Sequence, residues 1–406
     1  MTWDPGPRPK WVQDAIDSPG PLLEPALAPF DADELMAEAR MSVARDDFGP
    51  GDFADPLTVL LHSADTDADL HVLGRWRLRE MVLRLLTNRL KLAEYVRRDP
   101  GVLDEVIEAP LVVTGSPRSG TSILHQLLAR DPAHRAPLAW EFWAPLPPPE
   151  EATYDRDPRI AISDRELRMH ALLAPQMDGI HEVTATATRE CVAAMSHAFV
   201  SDHFWGVFDL PSYETWLWDA DPRPAYDMHR LILQVLQRKV GKRRWVLKAP
   251  SHLASLDTLF AVYPDAELVV THRDPLEMLS SVVSLLATLH WAHSRSVDFP
   301  ALVASQVDRN ARLLEGFVDW RDAHGDAQVH DVDYAAFVAD PAATLERLYA
   351  ATGRPFTDGA RIAMGAHLAA KPQGRHGGHQ HSVNALGLSA ADIARVARYT
   401  QRFVSP

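Results

Sequence analysis

A loop at residues 115–122 carries the residue types of this sequence that are best suited to bind an anion. The apolar run LVVT stops at Gly115, and a helical pattern starts near Thr121. A strand, a tight loop and a helix in this order turn consecutive backbone N–H groups toward one point, at the positive end of the helix dipole. Arg118 adds a planar guanidinium, which suits tetrahedral oxyanions. The sequence therefore predicts an anion site in this loop.

The loop has the spacing G-x-x-x-x-G-T-S, which is that of a triphosphate-binding P-loop, but Thr121 stands where that motif has its lysine. In kinases and ATPases the lysine reaches the β- and γ-phosphates. Its absence makes a P-loop kinase or another nucleotide hydrolase the less favoured alternative.

Composition limits the classes of partner. The chain of 406 residues has 41 basic and 55 acidic residues and a net charge of −14, so we expect no general affinity for nucleic acid or an anionic membrane. Cys191 is the only cysteine, which excludes intrachain disulfides. We find neither a signal-like N-terminus nor a run of about 18 apolar residues, and we expect a cytoplasmic protein without an integral membrane segment.

The rest of the chain must position the loop. Residues 1–109 are predicted to be a proline-rich arm followed by helices that pack on the core, and 110–406 an α/β domain with a helical, aromatic-rich insertion at about 150–243. Further strand-to-helix junctions follow WVLK, ELVVTH and QVHDVD. We therefore predict a P-loop-like three-layer α/β fold with a central parallel sheet.

The junctions after WVLK and ELVVTH bring more polar residues to the expected site. In a parallel sheet such junctions lie together at the carboxyl ends of the strands, so Lys248, His252, Arg273 and Ser281 are expected near the loop. Arg273 at a strand end, with Ser281 two helical turns later, predicts a second anion site. Two separate anion sites indicate a ligand with phosphate at both ends.

Two features of the middle of the chain are open to two interpretations. Glu141 lies among Trp140, Phe142 and Trp143, where desolvation would raise its pKa and suit a general base, but it could equally be structural. The aromatic residues of the insertion are either core or the wall of an apolar acceptor pocket. His181, followed by Glu182 and later by Glu190 and Cys191, is a further candidate site residue, whereas the histidine spacing of the insertion matches no metal motif.

SPRSGTS resembles the 5'-phosphosulfate loop of sulfotransferases, and THRDPLEMLSS resembles their 3'-phosphate motif, an arginine followed eight residues later by a serine. The arrangement is most similar to the bacterial and tyrosylprotein branches of that family. The resemblance implies 3'-phosphoadenosine-5'-phosphosulfate as donor and 3',5'-bisphosphoadenosine as product. By position, the 5'-phosphosulfate would be held by Pro117, Arg118, Ser119, Gly120, Thr121 and Ser122. Arg273 and Ser281 would hold the 3'-phosphate, and Tyr334 would lie near the adenine.

The same resemblance implies the catalytic residues. Lys248 is similar to the family lysine that stabilises charge on the bridging oxygen, and Glu141 is similar to the glutamate base of the tyrosylprotein branch. His252 follows Lys248 by four positions, whereas cytosolic members have a K-x-H pattern. We rank Glu141 slightly above His252 as the base. Ile123 stands where those members have a tryptophan, so the residue that stacks on the adenine stays open.

A basic, glycine-containing segment at 371–382 is the last candidate, with the sequence KPQGRHGGHQHS. The resemblance favours closure over the 3'-phosphate, with Arg375 and Gly377 in that role. A zinc site at His376, His379 and His381 is the runner-up.

We therefore expect a sulfotransferase that needs no metal and acts on a hydroxyl of an apolar small-molecule or lipid-like acceptor. A protein that binds the bisphosphate without catalysis is an alternative of a different class. The oligomeric state stays open.

Overall fold

A parallel sheet lies at the centre of the protein. Within residues 3–176, 184–370 and 383–404, which the computed structural model describes, the strands are β1 Leu111–Thr114, β2 His134–Arg135, β3 Arg244–Lys248, β4 Glu267–His272 and β5 Val329–Asp333. Their order across the sheet is β2-β3-β1-β4-β5, and every neighbouring pair is parallel. The predicted strands are present. The two-residue β2 was not predicted, because so short a strand has no visible period.

Helices cover the sheet and continue into the N-terminal part. The helices are α1 Lys10–Asp17, α2 Ala32–Val43, α3 Ala54–Thr66, α4 Val72–Arg98, α5 Thr121–Leu128, α6 Ala139–Trp143, α7 Pro158–Leu167, α8 Met169–Leu173, α9 Val192–Met195, α10 His203–Val207, α11 Pro211–Leu217, α12 Arg223–Gln237, α13 Leu256–Val262, α14 Pro275–His293, α15 Phe299–His324, α16 Tyr334–Ala339, α17 Pro341–Ala351, α18 Asp358–Ala370, α19 Ala390–Ala394 and α20 Ala397–Phe403. Within the described ranges, none of these helices combines the length and the apolar character needed to cross a membrane.

Alternate side chains of β1 and β4 pack into separate apolar clusters on the two faces of the sheet. The sheet and the helices on each of its faces therefore form three layers. Leu111 and Val113 of β1 pack with α5, α17 and α18, whereas Val112 packs with α12, α13 and α15. The same alternation separates Val269 from Leu268 in β4. Because successive side chains of a strand point to opposite faces, both faces must be covered by helices. The predicted three-layer α/β fold is confirmed.

The N-terminal part is more helical than the sequence indicated. Helix α1 forms inside the proline-rich arm, because fully buried Val12 packs against Val72 and Leu73 of α4. Helix α3 was also not predicted, although its Leu57 and Leu60 are fully buried. The boundary at residue 110 stays a prediction, and buried residues of α4 and α14 share one apolar cluster.

The strand order determines where the site lies. β1 pairs with β3 through Val113 and Lys248, and with β4 through Thr114 and Val270. The carboxyl ends of these three strands therefore meet at one edge of the sheet, directly before the loop that follows β1. Ligands of parallel α/β sheets bind at this edge.

Candidate functional site

The loop after β1 has the backbone of an anion cradle. Gly115, Arg118 and Gly120 have φ values of 141°, 71° and 91°, in the region that favours glycine. A Cβ at Gly115 would lie 2.6 Å from the carbonyl oxygen of Thr271, and one at Gly120 would lie 2.7 Å from the ring of Tyr334. No side chain caps α5, so the N–H groups of its first turn remain available to an anion.

Serine side chains hold this loop in shape. The hydroxyl of fully buried Ser119 lies 2.7 Å from the carbonyl oxygen of Ser116, to which it donates, and 2.6 Å from Oγ1 of Thr271. Ser116 donates to Oδ1 of Asn310 at 3.0 Å. The Ser119 hydroxyl thus forms hydrogen bonds within the protein. Of Ser119, the backbone N–H is therefore the group left for the predicted binding of the 5'-phosphosulfate.

The predicted 3'-phosphate residues lie beside the loop. Nε of Arg118 donates to Oγ of Ser281 at 3.0 Å, and Arg273 donates to the carbonyl oxygen of Arg118 at 3.0 Å. The Arg273 guanidinium also lies 4.5 Å from the ring centroid of Tyr334 and pairs with Glu277 at 3.0 Å. Partial desolvation and the like charge of Arg273 lower the pKa of Arg118. These neighbouring cations make the cluster a second place for an anion.

Lys248 joins the anion loop to a carboxylate. Its Nζ donates to Oγ of Ser122, in the first turn of α5, at 3.0 Å and also to Oε1 of Glu190. The Lys248 side chain is 3% exposed, whereas that of Glu190 is 35% exposed. The buried Lys248 amine therefore lies between the loop and a partly exposed carboxylate.

The sequence did not identify Glu190 as a candidate base, because only a tertiary contact brings it close to Lys248. The backbone N–H of Cys191 donates to the carbonyl oxygen of Lys248 at 2.8 Å, which brings Glu190 to the end of β3. The two residues are 58 positions apart, and no motif spacing links them. The weak sequence signal was the Glu190–Cys191 pair noted together with His181.

Glu141 lies in a closed environment. Its side chain is 0% exposed, its Oε2 accepts from the backbone N–H of Leu138 at 2.8 Å, and its Oε1 accepts from Arg135 at 2.5 Å. It thus caps α6 and neutralises a buried arginine. This arrangement does not support the predicted role as a base.

His252 is also closed off. The imidazole is 1% exposed, and its Nδ1 lies 2.7 Å from the hydroxyl of Tyr226. Burial lowers the pKa of His252 to about 3, so the ring is neutral near pH 7. Its Nε2 has no partner in the described part of the chain.

Several predicted residues lie outside the described ranges. These are His181, Arg375, Gly377 and the histidine triad of 376, 379 and 381. Within the described ranges, no group of three or more His, Cys, Asp or Glu side chains could hold a metal ion.

The aromatic residues of the insertion are mostly core. Phe199, Phe204, Phe208 and Tyr213 are fully buried, in one cluster with α4 and α14. Of the two interpretations left open by the sequence, core packing describes these four side chains. A separate cavity of about 420 Å³ lies between α4, α6 and α7, and its wall includes Arg189, the residue before Glu190.

Comparison with known proteins gives the family. The model of the sulfotransferase family matches residues 110–358. The chain is 26% identical over 262 residues to omega-hydroxy-beta-dihydromenaquinone-9 sulfotransferase Stf3 of Mycobacterium bovis, a match of 60% of this chain and 62% of that protein. This chain therefore spans less than two thirds of that relative's length.

Two solved structures are similar over nearly the whole chain. Sulfotransferase STF1 from Mycobacterium tuberculosis H37Rv has a TM-score of 0.78 and 33% identity, with 93% of this chain and 99% of that one covered. Sulfotransferase STF9 from Mycobacterium avium has a TM-score of 0.83 and 25% identity, with the same coverage. The predicted resemblance is confirmed: this chain belongs to the sulfotransferase family.

Proposed function

We propose that this sulfotransferase moves a sulfuryl group from 3'-phosphoadenosine-5'-phosphosulfate to a hydroxyl of an acceptor that has an apolar part. The observation that carries the proposal is the position of Lys248 between Ser122 and Glu190. Sulfuryl transfer needs a cation where the phosphate leaves and a base where the hydroxyl attacks. Lys248 and Glu190 supply these two groups side by side.

The residues of the site fit this donor. The uncapped first turn of α5, the crowded glycines and Arg118 suit a phosphate-sulfate group, and Arg273 with Ser281 suits a second phosphate. The donor supplies the sulfuryl group and a phosphate leaving group. Pro117, Thr121 and Tyr334 border the same site. A triphosphate is less favoured, because buried Thr121 stands at the position of the P-loop lysine.

We assign the role of general base to Glu190 instead of Glu141 or His252. The Glu190 carboxylate is accessible and adjoins Lys248, so it can accept the proton of the acceptor hydroxyl. Lys248 lies close enough to stabilise negative charge that develops beside Ser122. Glu141 is fully buried in an ion pair, and His252 is buried against Tyr226.

The cavity next to Arg189 is proposed to bind the acceptor. Part of its wall is apolar, with Met81, Phe142 and Leu167. The name of the relative Stf3 describes an acceptor that is a hydroxylated menaquinone. Both observations support a hydroxyl attached to an apolar body, although the fully buried aromatic residues of the insertion do not form the wall that the sequence suggested.

Calorimetric titration tests the donor. We expect 3',5'-bisphosphoadenosine to bind tightly with or without Mg²⁺, and ATP to bind weakly in both conditions. Transfer of ³⁵S from labelled donor to a panel of phenols and ω-hydroxyalkyl compounds, with and without EDTA, tests the reaction and its independence of metal. Preference for ATP with Mg²⁺, or loss of transfer in EDTA, would contradict the proposal.

A further inference from the structure

The cavity of about 420 Å³ beside Arg189 is lined by many charged side chains, which a purely apolar acceptor would not use. It lies between α4, α6, α7 and the segment that carries Arg189 and His203. Its charged lining residues are Arg77, Arg84, Lys91, Arg189, Glu38, Glu80 and Glu166. Which of these charges are neutralised decides what the cavity can bind.

The carboxylates of the cavity already have arginine partners. Arg77 pairs with Glu166 at 3.3 Å. Arg79, which precedes the lining residue Glu80 in the sequence, pairs with Glu38, and its guanidinium lies 3.8 Å from the Glu80 carboxylate. Each of the three carboxylates therefore has an arginine within 4 Å, although Arg79 serves two of them.

Arg84 and Arg189 are different. Arg84 donates from Nη1 to the carbonyl oxygen of Trp143 at 3.1 Å, and within the described ranges it forms no ion pair. The guanidinium of Arg189 has neither a hydrogen bond nor an ion pair with any residue in those ranges. A guanidinium has five N–H donors, so most donors of this pair have no partner among the described residues.

The two guanidinium groups also repel each other, so each disfavours the charged form of the other. Burial, followed by the charges of Arg77 and Arg189, lowers the pKa of Arg84 to about 10. Burial likewise lowers the pKa of Arg189, which Glu190 partly offsets. Both guanidinium groups line the same cavity, and their like charges act on each other. An anion between them would relieve the repulsion and use the free donors.

This pair lies next to the proposed base. Arg189 immediately precedes Glu190 in the chain. His203 lies in the same cavity wall, and burial together with the charges of Arg189 and Arg84 lowers its pKa to about 3. The charge of Glu190 acts in the opposite direction and raises the pKa of His203. Arg84, Arg189 and Glu190 are therefore all within electrostatic range of one imidazole. We therefore take Glu190 and the two arginines to be within reach of one acceptor molecule, which would present a hydroxyl to Glu190 and another group to the arginines.

We infer that Arg84 and Arg189 bind an oxyanion group, such as a carboxylate or phosphate, that the acceptor carries in addition to its reacting hydroxyl and its apolar part. This inference rests on the proposed function, because it takes the cavity as the acceptor site. The acceptor class is thus an amphipathic hydroxy acid instead of a neutral lipid.

Matched ligands test this inference. ω-Hydroxycarboxylates of six to twelve carbons and their methyl esters are titrated calorimetrically into the enzyme saturated with 3',5'-bisphosphoadenosine. We expect at least one acid of the series to bind at least tenfold more tightly than its ester. Arg84→Gln and Arg189→Gln should each remove this preference, and Arg84→Lys should restore part of it.

The controls separate the possible failures. Arg156→Gln changes the net charge equally at an exposed arginine, and it should keep the preference for the acid. Among the described residues, the Arg156 side chain contacts only the carbonyl oxygen of Ala152. Equal binding of every acid and its ester, or a preference that survives in both glutamine variants, would overturn the inference while bisphosphate binding and the proposed function stand. Absence of bisphosphate binding in the wild-type enzyme would instead contradict the proposed function.

Discussion

Nε of Arg118 donates a hydrogen bond of 3.0 Å to Oγ of Ser281, a residue 163 positions further along the chain. This bond joins the loop after β1 to α14, the two segments that the sequence assigned to opposite ends of one ligand. Arg273 adds a second contact to the loop through the carbonyl oxygen of Arg118. Hydrogen bonds therefore connect the two proposed anion sites, and Arg118 lies at their boundary.

Replacement of Arg118 by alanine should impair both binding and turnover. Loss of a cation that stabilises developing charge typically costs at least about a hundredfold in rate, and we expect that loss in kcat/KM. Ser281→Ala removes one hydrogen bond and should weaken bisphosphate binding about threefold to tenfold. Steady-state kinetics and calorimetry measure these effects. Arg156→Ala is the matched surface control, and near-normal turnover by Arg118→Ala would contradict the assignment.

Glu190→Gln should remove catalysis without loss of the donor site. The amide cannot accept the acceptor proton at neutral pH, so we expect kcat to fall at least about a hundredfold. Bisphosphate affinity should change little, because Ser122 and Lys248 remain. A rapid-quench assay with labelled donor separates the chemical step from binding. Wild-type kcat in this variant would exclude Glu190 as the base.

Glu141→Gln should have the opposite effect. It leaves the buried guanidinium of Arg135 without its carboxylate, a change that costs about 3 kcal/mol in the free energy of unfolding. The folded fraction should keep a kcat within a few-fold of wild type. Urea unfolding and active-site titration with the bisphosphate distinguish the two effects, and a stable but inactive variant would restore Glu141 as a catalytic candidate.

Buried histidines should make the protein less stable at mildly acidic pH. The pKa of His252 is about 3 in the folded protein, below the ordinary imidazole value of 6.5. At pH 5 the unfolded chain therefore binds a proton that the folded protein does not. The contribution of His252 to the free energy of unfolding is complete above about pH 6.5. It falls by at most about 1.4 kcal/mol per pH unit as the pH decreases toward 3.

Urea unfolding at several pH values between 5 and 7.5 measures this dependence. His252→Gln should make the slope shallower, because one proton fewer is taken up on unfolding. His229, whose pKa burial also lowers to about 3, remains as an internal comparison in that variant. An unchanged slope would mean that His252 does not contribute to the pH dependence.

Gly120→Ala should damage the anion loop. The new Cβ would meet the ring of Tyr334 at 2.7 Å in a backbone with φ of 91°, and such strain costs about 1–3 kcal/mol. We expect at least tenfold weaker bisphosphate binding and a lower melting temperature. Gly316→Ala is the control: its Cβ meets nothing within 4 Å, and alanine in a helix is favoured over glycine by about 1 kcal/mol. Equal behaviour of the two variants would contradict the role of Gly120.

Local patterns were sufficient for most of the fold and for the anion loop. Gly115, Arg118 and Gly120 are close in sequence, and strand, loop and helix follow one another there, so their chemistry could be recognised directly. Parallel pairing then brings the segments after β3 and β4 to the same edge, which is why Lys248 and Arg273 were also predicted correctly to lie near the loop.

The proposed base and the proposed acceptor cavity depend on tertiary contacts. Glu141 and Glu190 both follow the loop in sequence, but only packing decides that Arg135 neutralises the first while the amide of Cys191 brings the second to Lys248. The charge of the cavity is likewise a matter of which carboxylates pair with which arginines. The sequence by itself thus determined the family, the fold and the position of the proposed anion loop, because these depend on contiguous segments. The tertiary structure alone decided which carboxylate adjoins Lys248 and which arginines have no ion pair with a described residue, because those relations join residues far apart in the chain.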